Sequence, residues 1–299
     1  MMTANKTMKL IYYPGCTLKN QARNFDVSTV SSMAQLDVDV EELPRWNCCG
    51  TVHALASDEV MNRVAPVTNL IRVKEANASE FMTSCAMCYN TLKRANLDVK
   101  RRADALETIN DFLYLEETKY QGDVDVLHLL EYLRDRVGFD KLAGKVKKPL
   151  TGLRVACYYG CLLVRPKEVA FDDAENPVVM EDLIVALGGT PVPFAQKTEC
   201  CGAHHTVGNA EIVAGRTDRI MGSAHQEAAD LVVVSCPLCA FNLDFRQEDA
   251  RRLNPDFHHL PVLYFTQLMA LAFGCDDAAL RFDLHHIDPL PTLAARGLA

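Results

Sequence analysis

Short apolar runs alternate with amphipathic segments along most of the chain. Six runs have the length and composition of β-strands, and they lie at 8–13, 38–44, 80–84, 153–159, 190–194 and 231–235. Four longer segments place apolar residues three and four positions apart, which predicts helices at 27–36, 60–76, 177–189 and 208–229. Pro66 weakens the second of these helix predictions. Alternating strands and helices predict an α/β fold, in which helices cover parallel sheets.

The second half of the chain repeats the cysteine pattern of the first half. The motifs YYPGC, CCG and SCAMC at 12–16, 48–50 and 84–88 recur as YYGC, CCG and SCPLC at 158–161, 200–202 and 235–239. Such a recurrence predicts a duplicated unit and two pseudo-symmetric repeats, each a small parallel sheet with helices. We place the first repeat at 8–100, a helical connector at 101–150, the second repeat at 151–275, and a C-terminal extension at 276–299. The composition of the extension is that of a surface segment, and a partner could dock there.

Ten cysteines belong to the repeats, and each follows a predicted strand. The first set is Cys16, Cys48, Cys49, Cys85 and Cys88, and the second set is Cys161, Cys200, Cys201, Cys236 and Cys239. Ligands of parallel sheets bind at the carboxyl ends of the strands, so each set is expected to converge on one site. Cys157 and Cys275 lie outside the repeat. Cys157 is either a small buried hydrophobe or an additional member of the second site, and Cys275 is structural or merely exposed.

Composition narrows the class of protein. The formal net charge of -8 and the lack of a basic stripe argue against a nucleic-acid partner. No run of 18 apolar residues indicates direct membrane insertion, and the first residues do not resemble a secretion signal. We therefore expect a cytoplasmic protein. In a reducing compartment, the 12 cysteines are expected to be metal ligands or redox groups rather than structural disulfides.

Five thiols per site favour an iron–sulfur cluster over the alternatives. A structural zinc ion takes four ligands, as does a cubane [4Fe–4S] cluster, and each would leave one thiol over. Neighbouring cysteines of an extended CC pair point to opposite faces, and Gly50 and Gly202 permit the turn that would bring both to one centre. A thioredoxin-like redox motif would account for a CxxC sequence but not for the accompanying CCG. Zinc binding and thiol–disulfide chemistry remain as alternatives.

Histidines close to the CCG motifs are candidate proton carriers. His53 follows the first motif, and His204 and His205 follow the second, so His53 and His204 stand in nearly equivalent places. Histidine titrates near neutral pH, which suits a proton relay, although a structural histidine is the commoner case. We state the relay as a hypothesis.

Together, these motifs closely resemble those of the B subunit of heterodisulfide reductase, in the CCG-domain family of cysteine-rich iron–sulfur proteins. The resemblance covers nearly the whole chain and includes CYYGCLLVRP at 157–166 and FDDAENP at 171–177. It implies two noncubane [4Fe–4S] clusters, each held by one set of five cysteines. In the family, the two clusters face a shared cavity where a disulfide is cleaved homolytically; an iron of each cluster captures one sulfur, which is then reduced and protonated.

The resemblance also implies partners and a choice of substrates. The chain has neither a C-x2-C-x2-C-x3-C-P ferredoxin motif nor a G-x-G-x-x-G nucleotide motif, so electrons are expected from another protein. The family implies two further subunits, of which one is a ferredoxin-like iron–sulfur protein and the other contains a flavin. The substrate would be the coenzyme M–coenzyme B heterodisulfide or, in bacterial sulfur oxidation, a lipoate-bearing carrier protein. Two alternatives are a non-catalytic electron-relay subunit of a quinone-linked dehydrogenase and a structural zinc protein.

Overall fold

A computed structural model describes residues 8–51 and 58–298, which form two parallel sheets of four strands each. The first sheet has the order β2-β1-β3-β4, with β1 at Met8–Tyr12, β2 at Val38–Glu42, β3 at Glu80–Thr83 and β4 at Asp125–His128. The second has the order β6-β5-β7-β8, with β5 at Arg154–Tyr158, β6 at Thr190–Pro191, β7 at Leu231–Val234 and β8 at Val262–Tyr264. The two sheets share one topology, which confirms the predicted α/β fold with two pseudo-symmetric repeats.

Helices cover both sheets. In the first half they are α1 Cys16–Lys19, α2 Arg23–Gln35, α3 Met61–Glu75, α4 Ala86–Arg101, α5 Ala103–Phe112, α6 Leu129–Tyr132 and α7 Phe139–Ala143. In the second half they are α8 Val179–Ala186, α9 Ala210–Gln226, α10 Pro237–Phe245, α11 Gln247–Leu253, α12 Phe265–Ala272, α13 Asp277–Leu280 and α14 Leu290–Ala295. All four residues of β7 are buried, as expected for an apolar strand covered on both faces. None of these helices is long and apolar enough to span a membrane.

Helix α3 continues through Pro66, so the proline does not interrupt the predicted helix. Proline removes one backbone donor, and Pro66, the sixth of the 15 residues of this helix, is buried in the core. Side chains add hydrogen bonds on either side, from Thr68 Oγ1 to the carbonyl of Val64 at 2.8 Å and from Asn69 Nδ2 to that of Ala65 at 3.0 Å. Burial and these contacts offset the lost hydrogen bond.

The segment 101–150 is not purely a helical connector, because it contains β4. This strand pairs in parallel with β3, from Glu80 opposite Asp125 to Thr83 opposite His128. It therefore completes the first sheet, as β8 completes the second. The sequences of these strands and of the helices that follow them are themselves related, VLHLLEY at 126–132 and VLYFTQL at 262–268.

The C-terminal segment lies at the surface, where most of its residues are exposed or partly exposed, and a few of its side chains anchor it to the body of the protein. Leu293 and Leu298 are buried, and the carbonyl of Leu298 accepts a hydrogen bond from Lys148 Nζ at 2.7 Å. Both oxygens of the Asp244 carboxylate accept backbone hydrogen bonds, from His286 at 2.7 Å and Ile287 at 3.0 Å. The segment is thus held by both apolar and polar contacts.

The two halves share a continuous core. Phe25 of α2 stacks on Tyr264 of β8 with ring centroids 4.1 Å apart. The backbone N–H of Ala86 donates to the carbonyl of Ser235 at 3.0 Å, which joins the two CxxC loops directly. The carboxyl edges of the two sheets are therefore held next to each other.

Candidate cofactor and substrate site

The same strand ends position the cysteines in both halves. The first cysteine of each set follows the first strand of its repeat, the CC pair follows the second strand, and the CxxC follows the third. The first and third strands are neighbours at the point where the strand order reverses, which is the usual ligand site of such sheets. Each set of five thiols consequently gathers at one edge, as the spacing predicted.

Within each set the thiols lie in contact. Cys16 Sγ is 3.7 Å from Cys48 Sγ in the first set, and Cys201 Sγ is 3.4 Å from Cys239 Sγ in the second. The neighbouring thiol of Cys236, from the other half, raises the pKa of the Cys85 thiol. The two sites therefore meet at the paired CxxC loops.

A buried tyrosine closes one side of each site. Tyr13 donates its hydroxyl to the carbonyl of Asn47 at 2.8 Å, just before the first CC pair. Tyr158 makes the equivalent bond to Glu199 at 2.6 Å, before the second pair. Burial raises the pKa of both tyrosines well above the usual value, and the surrounding thiols raise it further. Both hydroxyls therefore remain protonated donors at neutral pH.

Polar side chains from the covering helices fix the backbone of both CC pairs. In the first half, Asn69 of α3 accepts from the backbone N–H of Asn47 at 2.9 Å and donates to its carbonyl at 3.2 Å. In the second half, Arg216 of α9 donates to the carbonyl of Cys200 at 2.9 Å, and Asn242 of α10 donates to that of Cys201 at 3.1 Å. The turn at each pair is thereby tied to the neighbouring helices.

Gly15 and Gly160 pass close to the thiols. Both have positive φ, 77° and 65°, which favours glycine. A Cβ at Gly15 would lie 2.9 Å from Cys88 Sγ, and one at Gly160 would lie 3.2 Å from Cys239 Sγ. The small residue is therefore needed for the chain to approach the second cysteine of the CxxC.

One cysteine of each CC pair is stabilised as a thiolate. Hydrogen bonds from Cys48 and Cys88 lower the pKa of Cys49 to about 4, despite burial. In the second half, a hydrogen bond from Cys161 lowers the pKa of Cys200 to about 5, and Arg216 lowers it further. The neighbouring thiols of Cys239 and Cys85 also hold the pKa of Cys236 well below its usual value. Thiolate is the form that binds metal, so each set holds at least one sulfur already suited to that role.

The donor set fits an iron–sulfur cluster better than a single metal ion. Within residues 8–51 and 58–298, no three His, Cys, Asp or Glu side chains are arranged to hold one ion. Each set offers five sulfur atoms, and soft thiolates suit zinc, copper(I) or iron–sulfur clusters. Gly15 and Gly160 let the backbone pass close to Cys88 and Cys239, so these two thiols are held against the chain of their own set.

A cavity of about 460 Å³ lies near both sets of thiols, although no cysteine of the described residues is among those that line it. On one side, Thr91 lines the cavity; its hydroxyl donates to the carbonyl of Met87 at 2.9 Å, and it helps to lower the pKa of the neighbouring Cys49 thiol. On the other side, Leu162 and His204 line both this cavity and a recess that contains Cys161 and Cys200. A molecule in the cavity would therefore be next to both sites.

The polar residues of this cavity were not identified from the sequence. Several belong to α4, including Asn90, Thr91 and Arg94. The sequence did place them on the predicted helix next to Cys88. Residues in the following turns of such a helix can line the same cavity as the cysteine, and this was the signal available in the sequence. Without the fold, nothing distinguished them from ordinary helix-surface residues.

The candidate histidines and the two additional cysteines have different positions. His53 lies outside the described residues, His204 lines the cavity, and His205 is exposed and is not among the cavity's lining residues. Cys157 is buried in the middle of β5, and burial raises its pKa, with Glu181 and Lys197 as the nearby charged groups. Cys275 is partly buried against the core.

The model of the cysteine-rich domain named CCG matches the chain twice, at residues 10–93 and 155–244. The chain belongs to the CCG family of cysteine-rich domains. The two matched regions contain both sets of five cysteines, and each match covers the first three strands of one sheet. The duplication seen in the sequence is therefore a duplication of this domain.

Relatives of the CCG family match nearly the full length of the chain. It is 34% identical to the 8-methylmenaquinol:fumarate reductase membrane anchor subunit of Wolinella succinogenes, over 93% of this chain and 96% of that protein. It is 28% identical to the B subunit of the ferredoxin/F420H2-dependent CoB–CoM heterodisulfide reductase of Methanosarcina acetivorans, over 96% of each chain. A protein of Archaeoglobus profundus, named as similar to the B subunit of heterodisulfide reductase, is 27% identical over 88% of this chain and 89% of its own. The resemblance to the B subunit is thus confirmed.

A solved structure also shares the fold. A hypothetical protein from Helicobacter pylori superposes with a TM-score of 0.76 over 94% of this chain, at 13% sequence identity. This chain spans about half (52%) of the length of that protein. The likeness supports the fold alone.

Proposed function

We propose that the chain binds two noncubane [4Fe–4S] clusters, one in each set of five cysteines. The equivalent placement of the two sets, the lowered pKa of Cys49 and Cys200, and the close approach of Gly15 and Gly160 to the thiols support this assignment. When bound, iron–sulfur clusters supply and accept electrons at iron. The protein's part is to supply thiolates, to hold the CC turns through Tyr13 and Tyr158, and to exclude water from the buried thiols.

We further propose that the chain is the catalytic subunit of a heterodisulfide reductase-like complex. The observation that carries this proposal is one cavity lined both by Thr91, a neighbour of Cys49, and by His204, which also lines the recess of the second set of thiols. Reduction of a disulfide breaks one S–S bond, consumes two electrons and two protons, and releases two thiols. Two sites facing one cavity suit a substrate that yields two sulfur products. The reverse reaction, formation of a disulfide, would return both electrons to the partner.

Of His204 and His205, the two candidate histidines within the described residues, His204 is the better placed to move a proton. It borders both the cavity and the recess of the second set of thiols. His205 is the matched control because it is adjacent, exposed, and not among the cavity's lining residues. A change in the pH profile of turnover in His204→Gln, with none in His205→Gln, supports the relay; unchanged profiles in both remove it. The same hypothesis includes His53, and the variant His53→Gln would test its contribution separately.

The electrons would come from a partner. The relation to the heterodisulfide reductases suggests two partner proteins, a ferredoxin-like iron–sulfur subunit and a flavin-containing subunit. Co-purification from the native source tests this, and a solitary chain with full turnover would contradict it. The many unpaired cysteines favour a reducing, cytoplasmic compartment. The substrate would be a heterodisulfide or a lipoate-bearing carrier in sulfur oxidation.

A second function is favoured by one comparison. The relative with 34% identity is named as a subunit of a menaquinol-linked fumarate reductase, so an electron-relay role in a quinone-linked complex is the alternative. A relay protein of this kind would hold the same clusters without cleaving a disulfide.

Turnover assays separate the two functions. Anaerobic protein with a reduced viologen dye as electron donor should reduce disulfides if the chain is catalytic. Thr91→Val tests the cavity directly, because it removes the hydroxyl next to Cys49 while keeping the side-chain shape; its turnover should fall. Protein that exchanges electrons with a quinol-linked partner but reduces no disulfide supports the relay.

A further inference from the structure

The cavity beside the two sets of thiols carries an excess of positive charge. Its lining includes three arginines and two carboxylates, namely Arg63, Arg94, Arg102, Glu59 and Asp98. The remaining side chains that line it carry no formal charge when His204 is neutral. One guanidinium therefore has no opposing charge within the lining.

Two of the three arginines are already paired. Arg63 Nε is 2.5 Å from a carboxylate oxygen of Asp98, and the same side chain also pairs with Glu59 at 3.3 Å. Arg102 pairs with Glu59 at 3.2 Å and with Asp104 at 2.9 Å. Both guanidinium groups are held by protein carboxylates, so they shape the wall of the cavity.

Arg94 is the third arginine, and it differs from the other two. Among residues 8–51 and 58–298 it has neither an ion pair nor a hydrogen bond through its side chain. The residues at 1–7, 52–57 and 299 include no Asp or Glu, so the chain offers no further side-chain carboxylate for it. Arg94 lies two turns along α4 from Cys88 and, like Arg101, is exposed to solvent; unlike Arg101, it is on a wall of the cavity, which also includes Thr91.

We propose that Arg94 is a specificity-determining residue that binds an anionic group of a low-molecular-weight disulfide in this cavity. The proposal rests on the disulfide chemistry put forward above. A guanidinium forms two parallel hydrogen bonds with a carboxylate or a similar oxyanion, which fixes both the position and the orientation of the ligand. A volume of about 460 Å³ is in the range of small-molecule sites. The bound anion would hold the S–S bond between Thr91 on one side and His204 on the other.

The test compares two disulfides of similar size. Dithiodiglycolate carries a carboxylate on each half, whereas hydroxyethyl disulfide is neutral. Both are given to the cluster-loaded full chain under anaerobic conditions, with a reduced viologen dye as electron donor. Arg94→Gln should lower kcat/KM for dithiodiglycolate by about 10- to 100-fold, the usual effect of losing a hydrogen bond to a charged group. It should leave kcat/KM for hydroxyethyl disulfide nearly unchanged, and Arg94→Lys should recover part of the loss.

Arg101→Gln is the matched control, because Arg101 is exposed on the same helix and is not among the residues that line the cavity. It should change neither rate. An equal loss for both disulfides in Arg94→Gln, or no loss for either, would overturn the assignment.

A wild-type protein that reduces neither disulfide would refute the proposed reaction rather than the binding site. Calorimetric titration of dithiodiglycolate into wild type and Arg94→Gln, without electron donor, then decides the role of Arg94. Binding to wild type that is weakened about 10-fold or more by the substitution supports the anion site. Equal binding, or none, contradicts it.

Discussion

The hydroxyl of Tyr13 donates a hydrogen bond to the carbonyl of Asn47 at 2.8 Å, and this bond ties the end of β1 to the first CC pair. The second half makes the equivalent bond from Tyr158 to Glu199 at 2.6 Å. Each tyrosine precedes the first cysteine of its set by three residues. The pseudo-symmetry therefore extends from the cysteine motifs to the hydrogen bonds that hold them in place.

Tyr158→Phe should lower the free energy of unfolding by about 1–3 kcal/mol, because it leaves the partly buried carbonyl of Glu199 without its donor. Tyr13→Phe should cost less, about 0.5–1.5 kcal/mol, because Asn69 still donates to the carbonyl of Asn47 at 3.2 Å. Chemical denaturation of the two variants measures this effect. Tyr114→Phe is the control, since Tyr114 is 73% exposed. Equal stability of all three variants would show that the two hydrogen bonds are not important.

Gly15→Ala should lose about half of the bound iron, because the new Cβ would lie 2.9 Å from Cys88 Sγ and displace it. Gly160→Ala should affect the other half in the same way. Gly138→Ala separates this effect from backbone strain: Gly138 has φ of 82°, with nothing within 4 Å of the added Cβ. That variant should cost about 1–2 kcal/mol of stability and keep all its iron. Equal iron content in the three variants would contradict the role of Gly15 and Gly160 beside the thiols.

Buried His128 predicts a pH-dependent stability. Burial lowers its pKa to about 3, while its Nε2 is 2.9 Å from the carbonyl oxygen of Ser84. The folded protein thus keeps this histidine neutral where the unfolded chain, with a pKa of about 6.5, becomes protonated. The unfolded state binds more protons between these values, so stability is full above about pH 6.5 and falls as the pH is lowered towards 3.

His128→Gln should remove this pH dependence while retaining an amide donor for Ser84. The difference in unfolding free energy between wild type and variant should shrink by about 1.4 kcal/mol from about pH 7.5 to about pH 5.5. Urea denaturation at several pH values in this range measures it. A difference that stays constant with pH would show that His128 titrates normally.

Cys157 is expected to be structural. It is buried within β5, and the charged groups close to it are Glu181 and Lys197. Cys157→Ala should therefore retain the iron content of wild type, whereas Cys161→Ala, in the same motif, should lose iron from the second site. Equal loss in both variants would place Cys157 at the cluster.

The sequence was sufficient to predict the duplication and the convergence of the cysteines, because parallel strands bring their carboxyl ends to one edge. It was not sufficient for β4 and β8. These strands are short, and β4 begins with the polar Asp125, although the related sequences at 126–132 and 262–268 contained the missing signal. At Pro66 the sequence instead led to an underestimate of the helix, because local helix propensity does not include the packing that keeps α3 continuous.

The cavity could not be predicted from the sequence for a different reason. Its walls combine Arg63 of α3, Arg94 of α4 and His204 of the second half, which are far apart along the chain. Only the tertiary structure brings them together. Equally, the pairing of Arg63 and Arg102 with carboxylates, which singles out Arg94, depends on distances between side chains.

The content of iron, acid-labile sulfide and zinc per chain, measured after anaerobic purification, tests the central claim most directly. Two four-iron clusters predict about eight irons with a matching amount of sulfide. Cys49→Ser and Cys201→Ser should each reduce the iron by about half. One or two zinc ions per chain with little iron, after strict exclusion of oxygen, would contradict the account and make the duplicated cysteines structural.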